Sequence, residues 1–109
     1  MHAETKKGEA EIIVARTSPQ DVQQRQIVVK LDGEEIGELM YGETLTIPVK
    51  AGKHRLKVDN TWNWKTVELN LAAGEHAKFQ TISKAGKLTW FLVSLLGAGP
   101  NYVSIKREA

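Results

Sequence analysis

The 109-residue chain contains no cysteine. That absence removes disulfides, thiolate nucleophiles and cysteine-ligated zinc together, so stability has to come from packing. Charge of one sign is also scarce. Fifteen Lys and Arg stand against thirteen Asp and Glu, a formal net charge of +2; nucleic-acid binding, which draws on a strongly basic face, is not expected. The longest apolar run, Leu88 to Gly99 (LTWFLVSLLGAG), is well short of the roughly 20 residues that cross a bilayer as a helix. No transmembrane segment is expected. The first ten residues, MHAETKKGEA, lack the apolar centre of a secretory leader. As given, the chain reads as cytoplasmic, and as envelope-associated where a leader has been removed.

What is present is an ordinary folded composition. Apolar residues make up 41% and charged residues 26%, which fits neither a disordered nor a membrane-embedded chain. The length is that of one domain. Residues 1–8 are expected to form a flexible tail and residues 9–107 a single domain.

Short apolar stretches separated by turn signals recur along the chain. Ala10 to Arg16 is rich in β-branched residues and precedes a polar loop, Thr17 to Gln24, that carries Ser18-Pro19. From Ile27 the pattern reads as two successive hairpins, IVVKLDGEEIGELM and TLTIPVKAGKHRLKV. In the first, Ile27, Val29 and Leu31 alternate with polar neighbours and Asp32-Gly33 supplies a tight turn. Ile36 and Leu39 are out of phase, which predicts a bulge at Gly37 that restores the inward face. In the second, Leu45, Ile47 and Val49 face inward, Pro48 suggests an edge strand, and His54, Leu56 and Val58 follow. Further strands place Val67, Leu69 and Leu71, then Ala77 and Phe79, then Val103 and Ile105 inward. Leu88 to Leu96 is apolar on every side. It fits either a strand buried on both faces or a short helix packed on an open end. Short strands with frequent turns and no helical period elsewhere predict an all-β, small antiparallel sandwich of roughly seven to nine strands.

The segment Val29 to Val58, with its Asp32-Gly33 turn, the following Ile36-Gly37 and then Gly52, His54, Leu56 and Val58, resembles the PEGA-like and carboxypeptidase-regulatory-like β-sandwich modules. Ala51 stands where those modules carry proline. The resemblance implies an immunoglobulin- or transthyretin-like sandwich and a non-catalytic accessory role, often on envelope or surface proteins. It brings no catalytic residues with it.

The chemistry-bearing residues lead the same way. His2, His54 and His76 lack metal-ligand spacing; His54 reads as a partly buried residue bonded to a neighbouring turn. No serine sits in a nucleophile elbow. Glu34 and Glu35 are adjacent in an extended segment and point to opposite sides, so they cannot flank one bond. Gly97-Ala98-Gly99-Pro100 is a plain turn, not a phosphate loop. No enzyme, metal or cofactor is expected.

Three features carry functional interest. Lys53, Arg55 and Lys57 project from one face of a strand, beside Lys50, and serve either as a solubilising face or as an anion contact. Trp62 and Trp64 share one side of an extended chain, where they pack a core edge or form a platform for a sugar ring or a partner side chain. Trp90 and Phe91 belong either to a core strand or to an exposed strip that docks a partner, a second copy or the envelope. The expectation is a binding or interaction module for protein or envelope association. A carbohydrate-binding module using Trp62 and Trp64 is the alternative.

Overall fold

Alternation of apolar and polar residues drives eight segments of this chain into strands and leaves one segment, apolar all round, as a helix. The computed structural model describes residues 8–96 and 101–108. In chain order the elements are β1 (Glu9–Ala15), β2 (Ile27–Leu31), β3 (Glu34–Leu39), β4 (Thr44–Lys50), β5 (Gly52–Asp59), β6 (Trp64–Leu71), β7 (His76–Ala85), α1 (Lys87–Leu96) and β8 (Asn101–Arg107). They form two four-stranded sheets, ordered β4-β1-β7-β8 and β3-β2-β5-β6. The expected β-sandwich is what the chain adopts. The predicted tail at residues 1–8 lies, apart from Gly8, outside the described residues, as do the predicted turn at 97–100 and His2.

Period-2 burial runs through the strands, so each sheet has one dry face. Ile12, Val14, Ile47, Ala77, Phe79 and Val103 from the first sheet meet Ile27, Val29, Leu39, Leu56, Val58 and Leu71 from the second. Each fully buried Val, Leu, Ile or Phe contributes about 1.5–3 kcal/mol of transfer free energy. This interface is therefore where the fold's stability is concentrated. Pro48 sits on β4, an edge strand, where its missing amide leaves no ladder bond unmade.

Four details differ from, or complete, what the sequence pattern suggests. The segment TLTIPVKAGKHRLKV is not a hairpin. Its first arm, β4, pairs with β1, and its second, β5, pairs with β2 and β6 in the opposite sheet. Both arms present an apolar face, and at the Ala51-Gly52 corner, with Gly52 at φ 127°, the chain crosses over so that those faces meet across the core. Second, the bulge in β3 falls one residue early. Val29 pairs with Gly37 and Lys30 with Glu35, which leaves Ile36 as the extra residue, and Ile36 stays exposed. It is Gly37, lying against the Leu45 side chain, that takes the inward position. Third, one pair of strands is parallel, β1 with β7, in register Glu11 to His76 and Ala15 to Gln80.

The fourth is the apolar run, which is helical. Its backbone decides this: β7 and β8 pair as far as Ala85 with Asn101, and among the described residues no further strand lies beside the intervening segment. A helix satisfies its own N–H and C=O groups where a strand would leave them unpaired. The Thr89 hydroxyl accepts from the Gly86 amide at 3.0 Å, and the Trp90 amide donates to the Gly86 carbonyl at 3.2 Å. The Tyr102 ring lies over Gly86. A core strand through Trp90 and Phe91 is thereby replaced by an exposed helix.

Candidate functional site

Strand direction sorts the connections onto two ends of the sandwich. The β2–β3, β4–β5 and β6–β7 connections lie at one end; the β1–β2, β3–β4 and β5–β6 loops and the α1 insertion lie at the other.

At the first end Asp32 and Gly33 make the β2–β3 turn with φ of 52° and 87°, the left-handed pair that a two-residue hairpin requires. Asp32 Oδ1 accepts from the Arg55 amide at 2.8 Å, and Oδ2 lies 2.7 Å from His54 Nδ1. The other ring nitrogen, Nε2, is 2.6 Å from the Lys50 carbonyl. A carboxylate and a carbonyl both only accept, so the geometry suits the imidazolium, in which both ring nitrogens donate. The Asp32 bond and then the Lys50 carbonyl raise the His54 pKa above its usual 6.5. Conversely, the His54 bond and the Arg55 amide hold Asp32 below its usual 3.8. His54 thus ties the β2–β3 turn to the β4–β5 corner.

Beside this tie, the outer face of the second sheet carries Lys53, Arg55 and Lys57 with Lys30, around an open depression of about 560 Å³. The alternation brings these cations together, while Lys50 ends β4 in the other sheet. Their charge is partly answered: Arg55 Nε donates to Glu68 at 2.8 Å, and Lys57 Nζ lies 5.1 Å from the Trp64 ring centre. The face is solvated and mixed in sign; β2 and β5 are the inner strands of their sheet, so these cations do not guard a sheet edge.

The second end is organised by two side chains that belong to no sequence motif. Arg16 continues the inward parity of Ala10, Ile12 and Val14 and is fully buried. All five of its N–H groups are used. Nε and Nη2 hold Asp21 in a fork at 3.0 Å each; Nη2 also donates to the Gln24 carbonyl, and Nη1 to the carbonyls of Arg25 (2.6 Å) and Leu39 (2.8 Å). Asp21 in turn accepts from the amides of Gln23 (2.7 Å) and Ser83 (3.1 Å). Burial pushes the Asp21 pKa up, but the Arg16 fork and these two amides outweigh it and hold the group below its usual 3.8. The polar loop 17–26 is therefore a built structure, with Gln23 and Arg25 in left-handed conformations.

Buried Asn60 does the same for the β5–β6 loop. Its Nδ2 donates to the Asn101 carbonyl at 2.9 Å, and its Oδ1 accepts from the amides of Trp62 and Asn63. Asn63 Oδ1 accepts from the Val103 amide at 2.7 Å. Thr61 between them sits at φ 83°, a costly conformation for a β-branched residue that the surrounding bonds enforce. The result is that Trp62 stands in a loop, 46% exposed, and Trp64 opens β6, 60% exposed. The reading in which they pack a core edge does not hold. Each ring has a cation on it, Arg25 at 5.8 Å from Trp62 and Lys57 on Trp64.

From this same end α1 projects. Trp90 (63%), Phe91 (61%), Leu95 (65%) and Leu96 (76%) are exposed. Among the described residues no group of three or more His, Cys, Asp or Glu is gathered to hold a metal, and no helix is long and apolar enough to cross a membrane. The architecture defines an all-β sandwich that carries an exposed apolar helix at one end. No protein family, no characterised protein and no solved structure matches this chain.

Proposed function

We propose that this chain is a non-catalytic interaction module that engages a protein or envelope surface through α1. The observation that carries the reading is the exposure of Trp90, Phe91, Leu95 and Leu96 on one projecting element, since soluble domains rarely leave a contiguous apolar patch in water without a use for it. The rest of the molecule supports it. The strongest ionisable constellations, Arg16 with Asp21, His54 with Asp32 and Arg107 with Glu75, link one element to another, which is structural work. The rigid loops at the α1 end hold Trp62 and Trp64 at the same end as the helix.

Replacing Phe91 and Leu95 by Asp tests the reading. The wild-type chain is expected to self-associate or to bind dodecylmaltoside micelles in light-scattering measurements. The double variant is expected to remain monomeric and micelle-free with an unchanged melting temperature. A wild-type chain that stays monomeric, takes up no detergent and matches the variant throughout would overturn the proposal.

A further inference from the structure

We infer that α1 inserts into the interfacial zone of a bilayer bearing anionic headgroups, in one leaflet, with the flanking cations on the lipid phosphates. The inference rests on the interaction reading above and names its partner. Three observations carry it.

The first is the distribution of the exposed side chains around the helix. At about 100° per residue, Trp90, Phe91, Val93, Leu95 and Leu96 point in five directions spread over the whole circumference, and all five are exposed. A protein groove covers one stripe of a docked helix. A bilayer surrounds it, and an element that is apolar all round belongs in such a medium. The one exposed hydroxyl on this surface, Ser94 Oγ, donates to the Trp90 carbonyl at 2.9 Å, so its proton is already satisfied without water. Neither helix end carries a charge placed to suit the helix dipole in water: the first turn has no acid and the last turn no base.

Length is the second. Ten residues rise about 15 Å, half of the roughly 30 Å hydrocarbon core. The helix reaches into one leaflet and cannot cross.

The third is charge. Lys84 and Lys87 flank the start of the helix along the chain, and from His76 to Arg107 there is no acidic residue; Lys78, Lys106 and Arg107 lie toward the opposite end of β7 and β8. Exposed Lys84 precedes the helix, and exposed Arg25 and Lys65 stand on the neighbouring loop and strand end. Three acids at this end are engaged, Asp21 by Arg16, Asp59 by the Thr61 amide and Glu43 by the Met40 amide, while Glu38 near the end of edge strand β3 is exposed. Trp62 and Trp64 add the amphipathic rings that favour the headgroup level. An apolar insert ringed by cations and indoles is complementary to an anionic lipid surface.

Flotation with vesicles decides the matter. Phosphatidylcholine vesicles with and without phosphatidylglycerol serve as the probe. The wild-type chain should bind the anionic vesicles, release progressively as salt rises, and bind the neutral ones more weakly. In a Trp62→Phe/Trp64→Phe variant, brominated lipid should quench the remaining Trp90 fluorescence. Phe91→Asp/Leu95→Asp should lose about a hundredfold in partitioning, and Lys84→Gln/Arg25→Gln should lose most of the preference for anionic lipid. Absence of binding to either vesicle, or binding that both variants leave unchanged, would overturn the inference. Should vesicles fail while self-association or micelle uptake through α1 persists, the lipid partner falls and the interaction reading stands; should both fail, both fall.

Discussion

Arg16 shows how much one side chain decides in this molecule. A buried cation is costly unless every donor is met and the charge is paired, and here five donors find five acceptors. The consequence is a fixed β1–β2 loop whose last turn sets Arg25 on Trp62. Arg16→Met should therefore destabilise the fold by about 3–5 kcal/mol, because it strands Asp21 without its cation. Pairing it with Asp21→Leu should recover part of that loss. Urea denaturation of both variants measures the coupling, and equal midpoints for wild type and Arg16→Met would contradict it. The signal was present in the sequence as parity, since Arg16 follows Ala10, Ile12 and Val14 at even spacing. Parity places the residue inward; it does not say that an aspartate five residues on will be there to meet it.

Among the elements, α1 is the least integrated. Ala85 and Asn101 already face each other as an antiparallel pair, so an Asn-Gly link in place of residues 86–100 would close the β7–β8 hairpin with a two-residue turn. That variant should keep the sandwich's circular dichroism and lose less than about 2 kcal/mol of stability, while losing all α1-dependent binding. Failure to fold would show that the helix is part of the core. Strand identity was legible from alternation because each sheet has one wet face. The helix was not, because a run that is apolar on every side has no period to read. The crossing at Ala51-Gly52 escaped for a related reason: an apolar arm, a glycine corner and a second apolar arm look alike whether the arms pair with each other or face each other across a core. The same corner holds His54, which sequence reasoning placed correctly beside a turn. Its partners, Asp32 and the Lys50 carbonyl, needed the folded chain.

At the scale of the whole molecule, 55 × 26 × 23 Å in extent, the titrating groups set a window of stability. His54 has a folded pKa raised above its unfolded value. Its contribution is fully present below about pH 6.5 and is lost as pH rises through the folded value. Asp21, Asp32 and Glu75 are depressed, so theirs is present above about pH 4 and is lost as pH falls through their folded values. For Glu75 the cause is the Ala72 amide first and Arg107 second. Urea midpoints should accordingly be highest between about pH 4.5 and 6.5. The decline on the alkaline side should vanish in His54→Gln; a midpoint that rises from pH 6 to 8 would contradict the imidazolium.

By itself the sequence determined the class of object. Period-2 alternation and turn dipeptides specify a sandwich core and its inward residues, because burial of alternate side chains is a local pattern that any sheet pairing must respect. The tertiary structure alone decided which strands are neighbours, that β1 runs parallel to β7, that Arg16 and Asp21 meet, and that Trp62, Trp64 and α1 share one end. These are contacts between residues far apart in the chain, set by how two sheets close over one core and by which backbone groups are then left to pair.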